Sequence, residues 1–238
     1  MDPGPRAVFS QDQVIDVRPD EPRNWTAKDG DLSVKYTYPA GSSWVEQRFK
    51  LADPGMIGLW VAWDMRVPLN YFHNQNPSGG VGDNQKLLRL WTDKYSGSDG
   101  GSKVGLSFRR SKDNGEYRGS SYYFAKIFGP ETNGGDKGNV RFITVPDDLG
   151  KWMRLVVKVK FQSAPGAGNG SLEVWRKWED QAEFTKDFEY LNQPITTSNS
   201  KDITGFAAGY LLGYANAPYT VDTDFLIDNF EIAALKEQ

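Results

Sequence analysis

Met153-Arg154-Leu155-Val156-Val157-Lys158-Val159-Lys160-Phe161 is the stretch that decides the fold. Every second residue, from 153 to 161, is apolar, and three of the four residues between them are arginine or lysine. Successive side chains of a β-strand point to opposite faces of the sheet. A period of two with one apolar side therefore predicts a half-buried strand of an antiparallel sheet.

The same period recurs on both sides of this stretch. Apolar residues occupy every second position from 57 to 65, so we predict that they share one buried face: Ile57, Leu59, Val61, Trp63 and Met65. Asn114-Gly115 between two strand-like runs predicts a tight hairpin turn. The one segment with a helical pattern is 179–188. Further strands are predicted at 32–38, 44–51, 86–91, 104–110, 122–128, 140–145, 171–178, 205–212 and 225–233.

About a dozen short strands, separated by Gly- and Pro-rich turns, predict an all-β sandwich or jelly roll. Residues 25–238 contain no linker and are assigned to a single domain, and the Pro-rich residues 1–24 are assigned to an N-terminal arm or edge strand. A chain of 238 residues without cysteine needs a large apolar core rather than disulfides for its stability.

The overall charge excludes some classes of partner. The chain has 28 basic and 31 acidic residues, so no nucleic-acid partner is expected. No apolar run is long enough for a membrane span, and the first residues lack the pattern of a secretory signal. We expect an extracellular or virion-associated protein that is a monomer or a homo-oligomer.

Several strands carry tryptophan or arginine on the side opposite their aliphatic residues. A pyranose ring presents C–H groups that suit a flat indole, and a guanidinium group forms paired hydrogen bonds with a uronate carboxylate. The alternative is that the indoles fill gaps at sheet edges under arginine stems. We predict that one concave sheet face contacts a polysaccharide through Trp60, Arg66, Arg89, Trp91, Arg109, Tyr122 and Trp175.

Three parts of the sequence resemble the strands of small polysaccharide lyases. They are Gln85–Trp91 with 104–110, Gly150-Lys151-Trp152 with the hairpin that ends in Asn169-Gly170-Ser171-Leu172-Glu173-Val174-Trp175, and the closing strand 225–232. The resemblance implies a concanavalin A-like jelly-roll β-sandwich of two antiparallel sheets. Proteins with this fold include lyases, glycoside hydrolases, lectins, carbohydrate-binding modules and viral surface proteins, so the fold leaves the function open.

A lyase must neutralise the uronate carboxylate, remove the proton at C5 and protonate the departing oxygen. Arg89 or Arg109 is a candidate for the first task, and Tyr122 or Tyr123 for the third. His73 or a second tyrosine is a candidate base, with Lys86 assisting. The Gln-x-His and Tyr-Phe-Lys-x-Gly-x-Tyr motifs of alginate lyases are absent from the sequence.

Three functions therefore remain open at this point. The first is carbohydrate binding, the second is a polysaccharide lyase that acts by β-elimination, and the third is a viral adhesin or structural jelly roll. No cofactor and no metal ligand are assigned. A structural calcium ion is considered for the loop carboxylates of Asp93, Asp99 and Asp228, although their spacing matches no EF-hand.

Overall fold

The computed structural model describes residues 14–16, 27–51, 55–76, 83–92, 102–128, 136–195 and 205–235, and for 14–16, 102 and 103 only the backbone. These residues form thirteen β-strands and no helix. The strands are β1 (Val14–Asp16), β2 (Leu32–Tyr38), β3 (Gln47–Lys50), β4 (Gly58–Arg66), β5 (Gln85–Trp91), β6 (Ser102–Asp113), β7 (Glu116–Ile127), β8 (Asp136–Ile143), β9 (Trp152–Lys160), β10 (Gly170–Trp178), β11 (Thr185–Gln193), β12 (Ala208–Leu211) and β13 (Thr223–Ala234).

The strands form two antiparallel sheets whose apolar faces pack together. The seven-stranded sheet has the order β1-β2-β13-β4-β9-β10-β11, and the six-stranded sheet has the order β3-β12-β5-β6-β7-β8. Four consecutive strands, β5 to β8, lie side by side in the six-stranded sheet. The predicted all-β sandwich of two antiparallel sheets is confirmed.

The two most regular stretches of the sequence lie at the centre of the seven-stranded sheet. The residues of β9 that were expected to point inward, together with Phe161, are fully buried, as are Leu59, Val61, Trp63 and Met65 of β4. Ile57 lies one residue before β4 and is 45% exposed. The period of two therefore predicted the buried face of both strands and missed only the residue outside the strand.

The predicted helix at 179–188 is wrong. A tight turn follows β10, in which the backbone N–H of Gln181 donates to the carbonyl of Trp178 at 3.0 Å. The chain then returns as β11, where Phe188 pairs with Val174 and is 4% exposed. The edge of β10 that faces away from β9 offers backbone hydrogen-bond partners to this polar segment. Pairing with β10 overrides the helical pattern of the local sequence.

The hairpin predicted at Asn114-Gly115 is confirmed. These two residues connect β6 and β7, with φ angles of 51° and 87°. Positive φ at both central residues is the requirement of the type I′ turn, whose twist matches that of the flanking strands.

The N-terminal end of the described chain lies at a sheet edge. β1 pairs with β2 through Val14, Ile15 and Asp16, opposite Val34, Ser33 and Leu32. The domain boundary predicted at residue 24 falls outside the described residues and stays a prediction. The part of the chain that the structure describes contains no helix that is long and apolar enough to cross a membrane.

A buried polar cluster, here called the inter-sheet clamp, joins the two sheets. It consists of Tyr123 on β7, Arg176 on β10 and Asp187 on β11. The hydroxyl of Tyr123 donates to Asp187, and Nε of Arg176 lies 3.2 Å from the same carboxylate oxygen. Nη1 of Arg176 donates to the carbonyls of Arg141 and Phe142 at 2.7 and 3.0 Å. The clamp therefore fixes β10 and β11 of one sheet to β7 and β8 of the other.

Candidate functional site

The structure divides the predicted sugar-binding side chains between the two sheets. Arg89, Trp91, Arg109 and Tyr122 belong to β5, β6 and β7 of the six-stranded sheet. The remaining three lie on β4 and β10 of the seven-stranded sheet, so the prediction of a single common face is wrong for them. The period of two assigns a side chain to a face of its own strand but carries no information on which sheet the strand joins. These three residues are Trp60, Arg66 and Trp175.

The outer side of the six-stranded sheet carries a group of positive charges, here called the cationic face. It consists of Lys86, Arg89, Arg109 and Lys126. Pairing between strands aligns these residues in rows: Arg89 lies opposite Gly105, which lies opposite Lys126. In the neighbouring rows, Lys86 lies opposite Ser107 and Arg109 opposite Tyr122. The cations therefore come from three adjacent strands and point away from the core.

Arg89 lies flat on the sheet rather than projecting from it. Its Nη1 donates to the carbonyls of Leu88 and Leu106 at 3.0 and 2.8 Å, and its Nη2 donates to Oγ of Ser107 at 2.8 Å. A Cβ atom on Gly105 would lie 2.1 Å from Nη1, so only glycine leaves room for this path. Arg89 is 5% exposed and contributes its charge to the floor of the face.

Arg109 and Lys126 are two accessible cations of this face. Nη1 of Arg109 lies 3.3 Å from Oδ2 of Asp136, and Nζ of Lys126 lies 3.2 Å from Oδ1 of the same carboxylate. The guanidinium group of Arg109 is 4.8 Å from the ring centres of both Tyr122 and Phe124. The side chains of Arg109 and Lys126 are 30% and 33% exposed, so both can reach a ligand.

Lys86 combines burial with neighbouring positive charge. Its Nζ donates to Oδ1 of Asn84 at 2.6 Å. Burial, followed by repulsion from Arg89 and Lys126, lowers the pKa of Lys86 to about 8. A lysine with such a pKa is partly neutral at mildly alkaline pH and can accept a proton.

Aromatic rings line the floor of the cationic face. Tyr122 is partly exposed, and burial raises the pKa of its hydroxyl despite the opposing charge of Arg109, so the phenol stays protonated. Phe124 is 3% exposed. Trp91 is 7% exposed and packs on Tyr210 with ring centres 4.9 Å apart. The indole of Trp91, predicted to stack on a sugar, is thus part of the packed floor.

Two predicted catalytic residues lie inside the protein. His73 is 5% exposed, and its ring nitrogens bond to the hydroxyl of Tyr71 at 3.0 Å and the carbonyl of Asp83 at 2.6 Å. Burial lowers the pKa of His73 to about 4. Tyr123 is fully buried in the inter-sheet clamp, stacked 4.7 Å from the ring of Phe142. Neither side chain reaches the cationic face, which contradicts their predicted roles as base and acid.

The outer side of the seven-stranded sheet carries Trp60 and Trp175, whose ring centres are 5.4 Å apart. The ammonium groups of Lys158 and Lys186 lie over these rings at 5.4 and 5.2 Å. Burial opposes the charge of Glu173, but its ion pairs with both lysines hold the pKa of its carboxyl below the ordinary value. The lysines therefore cover the two indoles, but on strands inside the sheet rather than at its edges, where the alternative had placed them under arginine stems.

A cavity of about 420 Å³ opens beside this cluster on the same sheet. At its base Asp64, which is 3% exposed, accepts hydrogen bonds from Arg154 at 3.1 Å and from Asn229 at 2.8 Å. Arg154 also pairs with Glu231 at 2.8 Å. The polar groups at the base of the cavity are thus bonded to one another.

No group of three or more potential metal ligands occurs among the described histidine, aspartate and glutamate residues. Asp93 and Asp99, considered for calcium, lie outside the described residues. Asp228 accepts hydrogen bonds from the backbone N–H groups of Lys28, Asp29 and Asn229 and from the hydroxyl of Ser33. Its carboxylate thus tethers the segment before β2 to β13.

The sequence analysis missed Ser107, Phe124, Lys126 and Asp136. Phe124 and Lys126 lie two and four residues after Tyr122 on β7, so the period of two already placed all three side chains on one face. Asp136 begins β8, which the sequence pattern placed four residues later. Its role depends on pairing with β7, which local sequence does not reveal.

Comparison with known proteins adds evidence on the fold. No protein-family model matches the sequence, and no curated protein sequence is similar to it. The marine PL-14 alginate lyase from Aplysia kurodai superposes with a TM-score of 0.59 at 14% identity, over 89% of this chain and 86% of the lyase. The alginate lyase Aly36B, in complex with an alginate trisaccharide, gives 0.59 at 11% identity over 86% and 82%.

A third similar structure is the exoplasmic/lumenal domain of VIP36, bound to Ca²⁺ and Man3GlcNAc. Its TM-score is 0.50 at 11% identity, over 97% of this chain and 92% of that domain. At such identities the likeness establishes the fold and leaves the activity open. The chain is a concanavalin A-like jelly-roll sandwich, the fold it shares with alginate lyases and with a domain that binds a glycan.

Proposed function

We propose that the protein binds an anionic polysaccharide of the polyuronate class on the cationic face. The observation that carries this proposal is the gathering of Lys86, Arg89, Arg109 and Lys126 on one side of the six-stranded sheet. A protein with a net charge of -3 concentrates these cations at one place, which creates a local positive potential. A ligand with regularly spaced carboxylates matches that potential.

The dimensions of the face suit a chain rather than a single sugar. Neighbouring strands lie about 4.8 Å apart, so the three strands that carry its cations, β5 to β7, span about 10 Å between their axes. Arg109 and Lys126 can each meet a carboxylate with a charge-assisted hydrogen bond. Asp136, held between them, can accept hydrogen bonds from sugar hydroxyls, as can the phenol of Tyr122. Alginate, the ligand of one structural neighbour, is a polyuronate.

The proposal is tested by measuring the affinity for alginate with isothermal titration calorimetry. Replacing two hydrogen-bonding cations in Arg109→Gln/Lys126→Gln is expected to weaken binding by about tenfold or more, since a hydrogen bond to a charged group contributes about 1.5–3 kcal/mol. Binding by the wild-type protein is expected to weaken as salt is added.

Lys177→Gln is the matched control, because Lys177 lies on the outer side of the other sheet, where its Nζ is 5.3 Å from the ring of Phe184. A neutral glucan of similar length is the ligand control. Equal affinity for alginate and the glucan, or an equal effect of both sets of substitutions, would contradict the proposal. A stable oligomer without affinity for any polysaccharide would favour the structural role instead.

A second candidate, a polyuronate lyase, is favoured by the lowered pKa of Lys86. In β-elimination a base removes the proton at C5, the C4–O bond breaks and an acid protonates the departing oxygen. Neutral Lys86 can take the proton, and protonated Tyr122, whose pKa is raised, can supply one. Arg109 or Lys126 can stabilise the carboxylate charge that grows as the C5 proton leaves.

Incubation with alginate and other polyuronates separates the two candidates. A lyase produces an unsaturated uronate, whose ultraviolet absorbance rises with time. Loss of that rise in Lys86→Met, with binding retained, supports elimination by this face. Binding without any rise in absorbance for the wild-type protein leaves the binding function alone.

A further inference from the structure

An exposed aromatic pair lies beside the cationic face. Trp44 and Tyr214 are 50% and 41% exposed, and their ring centres are 5.8 Å apart with an interplanar angle of 66°. Single exposed apolar side chains are common on protein surfaces, whereas adjacent ones that form a patch are typical of contact sites. The rings of Trp44 and Tyr214 are adjacent and form such a patch.

Backbone hydrogen bonds fix the pair to the sheet. The N–H of Ala215 donates to the carbonyl of Ser43 at 2.8 Å, which joins the segment before β3 to the segment after β12. The N–H of Lys86 donates to the carbonyl of Tyr214 at 3.1 Å, and a bridge connects Gln85 with Ala215. Both rings are therefore carried by backbone that is held in place next to the start of β5.

The same contacts bring the pair to the cationic face. Nζ of Lys86 lies 5.9 Å from the ring centre of Tyr214, within reach of a cation–π interaction. Lys86 is followed across the sheet by Ser107 on β6 and Phe124 on β7. A ligand that extends from Arg109 and Lys126 past Lys86 thus meets the rings of Tyr214 and Trp44 next.

We propose that Trp44 and Tyr214 form an outer subsite for a polyuronate. The C–H face of one sugar ring stacks on the indole there, while the carboxylates of other sugar units of the same ligand occupy the cationic face. This inference rests on the proposed function. A ring surface gives its contact energy through apolar area and needs no carboxylate, so this subsite accepts a uronate or a neutral sugar. It contacts ligands only when they are long enough to extend beyond Lys86.

Ligand length therefore provides the test. Affinity is measured by calorimetry for alginate oligosaccharides of increasing length, with wild-type protein, Trp44→Ala and Trp44→Phe. The wild-type affinity is expected to rise with length, and Trp44→Ala is expected to lose about tenfold for the longest oligosaccharides and nothing for the shortest. Trp44→Phe, which keeps an aromatic ring, is expected to recover part of the loss.

Phe184→Ala is the matched control, because Phe184 is 44% exposed and lies beside Lys177 of the other sheet. Unchanged affinities of Trp44→Ala at every length, or an equal loss at every length, overturn the subsite. If Trp44→Ala is unchanged while Arg109→Gln/Lys126→Gln binds weakly, the subsite fails and the proposed function stands. If the wild-type protein binds no polyuronate, both proposals fail.

Discussion

Lys86 shows how the surroundings of one residue change its chemistry. Its ammonium group loses hydration inside the cationic face and is repelled by Arg89 and Lys126, and both effects favour the neutral amine. Lys151 shows the reverse, since its hydrogen bond to Asp180 raises its pKa. Two lysines of one protein are thus expected to ionise in different pH ranges.

We expect Lys86 to react with an amine-specific reagent at lower pH than Lys151. Only the neutral amine is a nucleophile, so the labelling rate of Lys86 is expected to reach half of its plateau near pH 8. Peptide mapping by mass spectrometry after short labelling pulses gives the rate of each lysine. Coincident profiles for the two lysines would show that Lys86 is an ordinary surface amine.

Single residues were predicted with uneven success, for physical reasons. Arg89 and Arg109 were assigned to the outward faces of their strands because alternation shows which residues of a strand share a face. His73 lies in a segment without regular structure, so its sequence neighbours carry no periodic signal. Its burial results from contacts with Tyr71, Asp83 and Phe108, which the fold brings together.

At the scale of elements, one small residue on β6 determines the path of a side chain from β5. Gly105 leaves the space through which the side chain of Arg89 crosses β6, and the three hydrogen bonds described for that guanidinium group depend on this path. The absence of a side chain on one strand therefore determines the conformation of an arginine on the next.

We expect Gly105→Ala to lower the free energy of unfolding by about 2–3 kcal/mol, because the added methyl group displaces a buried, hydrogen-bonded guanidinium group. Urea denaturation of Gly105→Ala, Arg89→Met and the double variant measures the coupling between the two positions. In the Arg89→Met background the alanine is expected to cost less, since the clashes with Nη1 and Cζ are removed and only an atom at the position of Cδ, 2.7 Å from the added Cβ, remains. An equal cost in both backgrounds would refute this account.

Elements were predicted well where one face is buried and poorly at the edges. β9 and β4 lie in the middle of the seven-stranded sheet, so their apolar side is regular and easily recognised. β11 is an edge strand with a polar sequence, and it was predicted in part as a helix. Its structure depends on hydrogen bonds to β10, which leave little trace in its own composition.

At the scale of the whole molecule, the inter-sheet clamp adds a polar connection to the apolar contact between the sheets. The side chains of Arg176 and Asp187 are 12% and 4% exposed. A buried ion pair that loses one partner leaves the other charge without compensation, which destabilises a protein more than loss of an exposed pair. The clamp is therefore expected to contribute to the stability of the sandwich as a unit.

We expect Arg176→Met to lower the free energy of unfolding by about 3–5 kcal/mol, since among the described residues Asp187 then keeps only its hydrogen bond from Tyr123. Replacing both partners, in Arg176→Met/Asp187→Leu, is expected to restore part of the stability. The exposed pair of Arg118 and Glu116 is the control, and Arg118→Met is expected to have little effect. A double variant less stable than Arg176→Met would contradict the prediction. Thermal and urea unfolding provide the measurement.

The sequence alone did not show to which of the two sheets each strand belongs. Trp60 and Arg89 have the same local surroundings, an outward side chain between buried ones, and yet they lie on opposite sides of the molecule. Which strands become neighbours is decided by pairing between residues far apart in the sequence, for example β4 with β13. The fold class followed from local patterns, whereas the composition of the candidate site did not.

The consecutive order of β5 to β8 has an evolutionary consequence. The four cations of the cationic face, together with Asp136, lie on four strands that are consecutive in the sequence, while the strands that complete the sheet come from distant parts of the chain. Recombination of a single short gene segment could thus exchange the entire set of charges between homologues. New ligand preferences would then arise in one step, while the strands of the seven-stranded sheet stay unchanged.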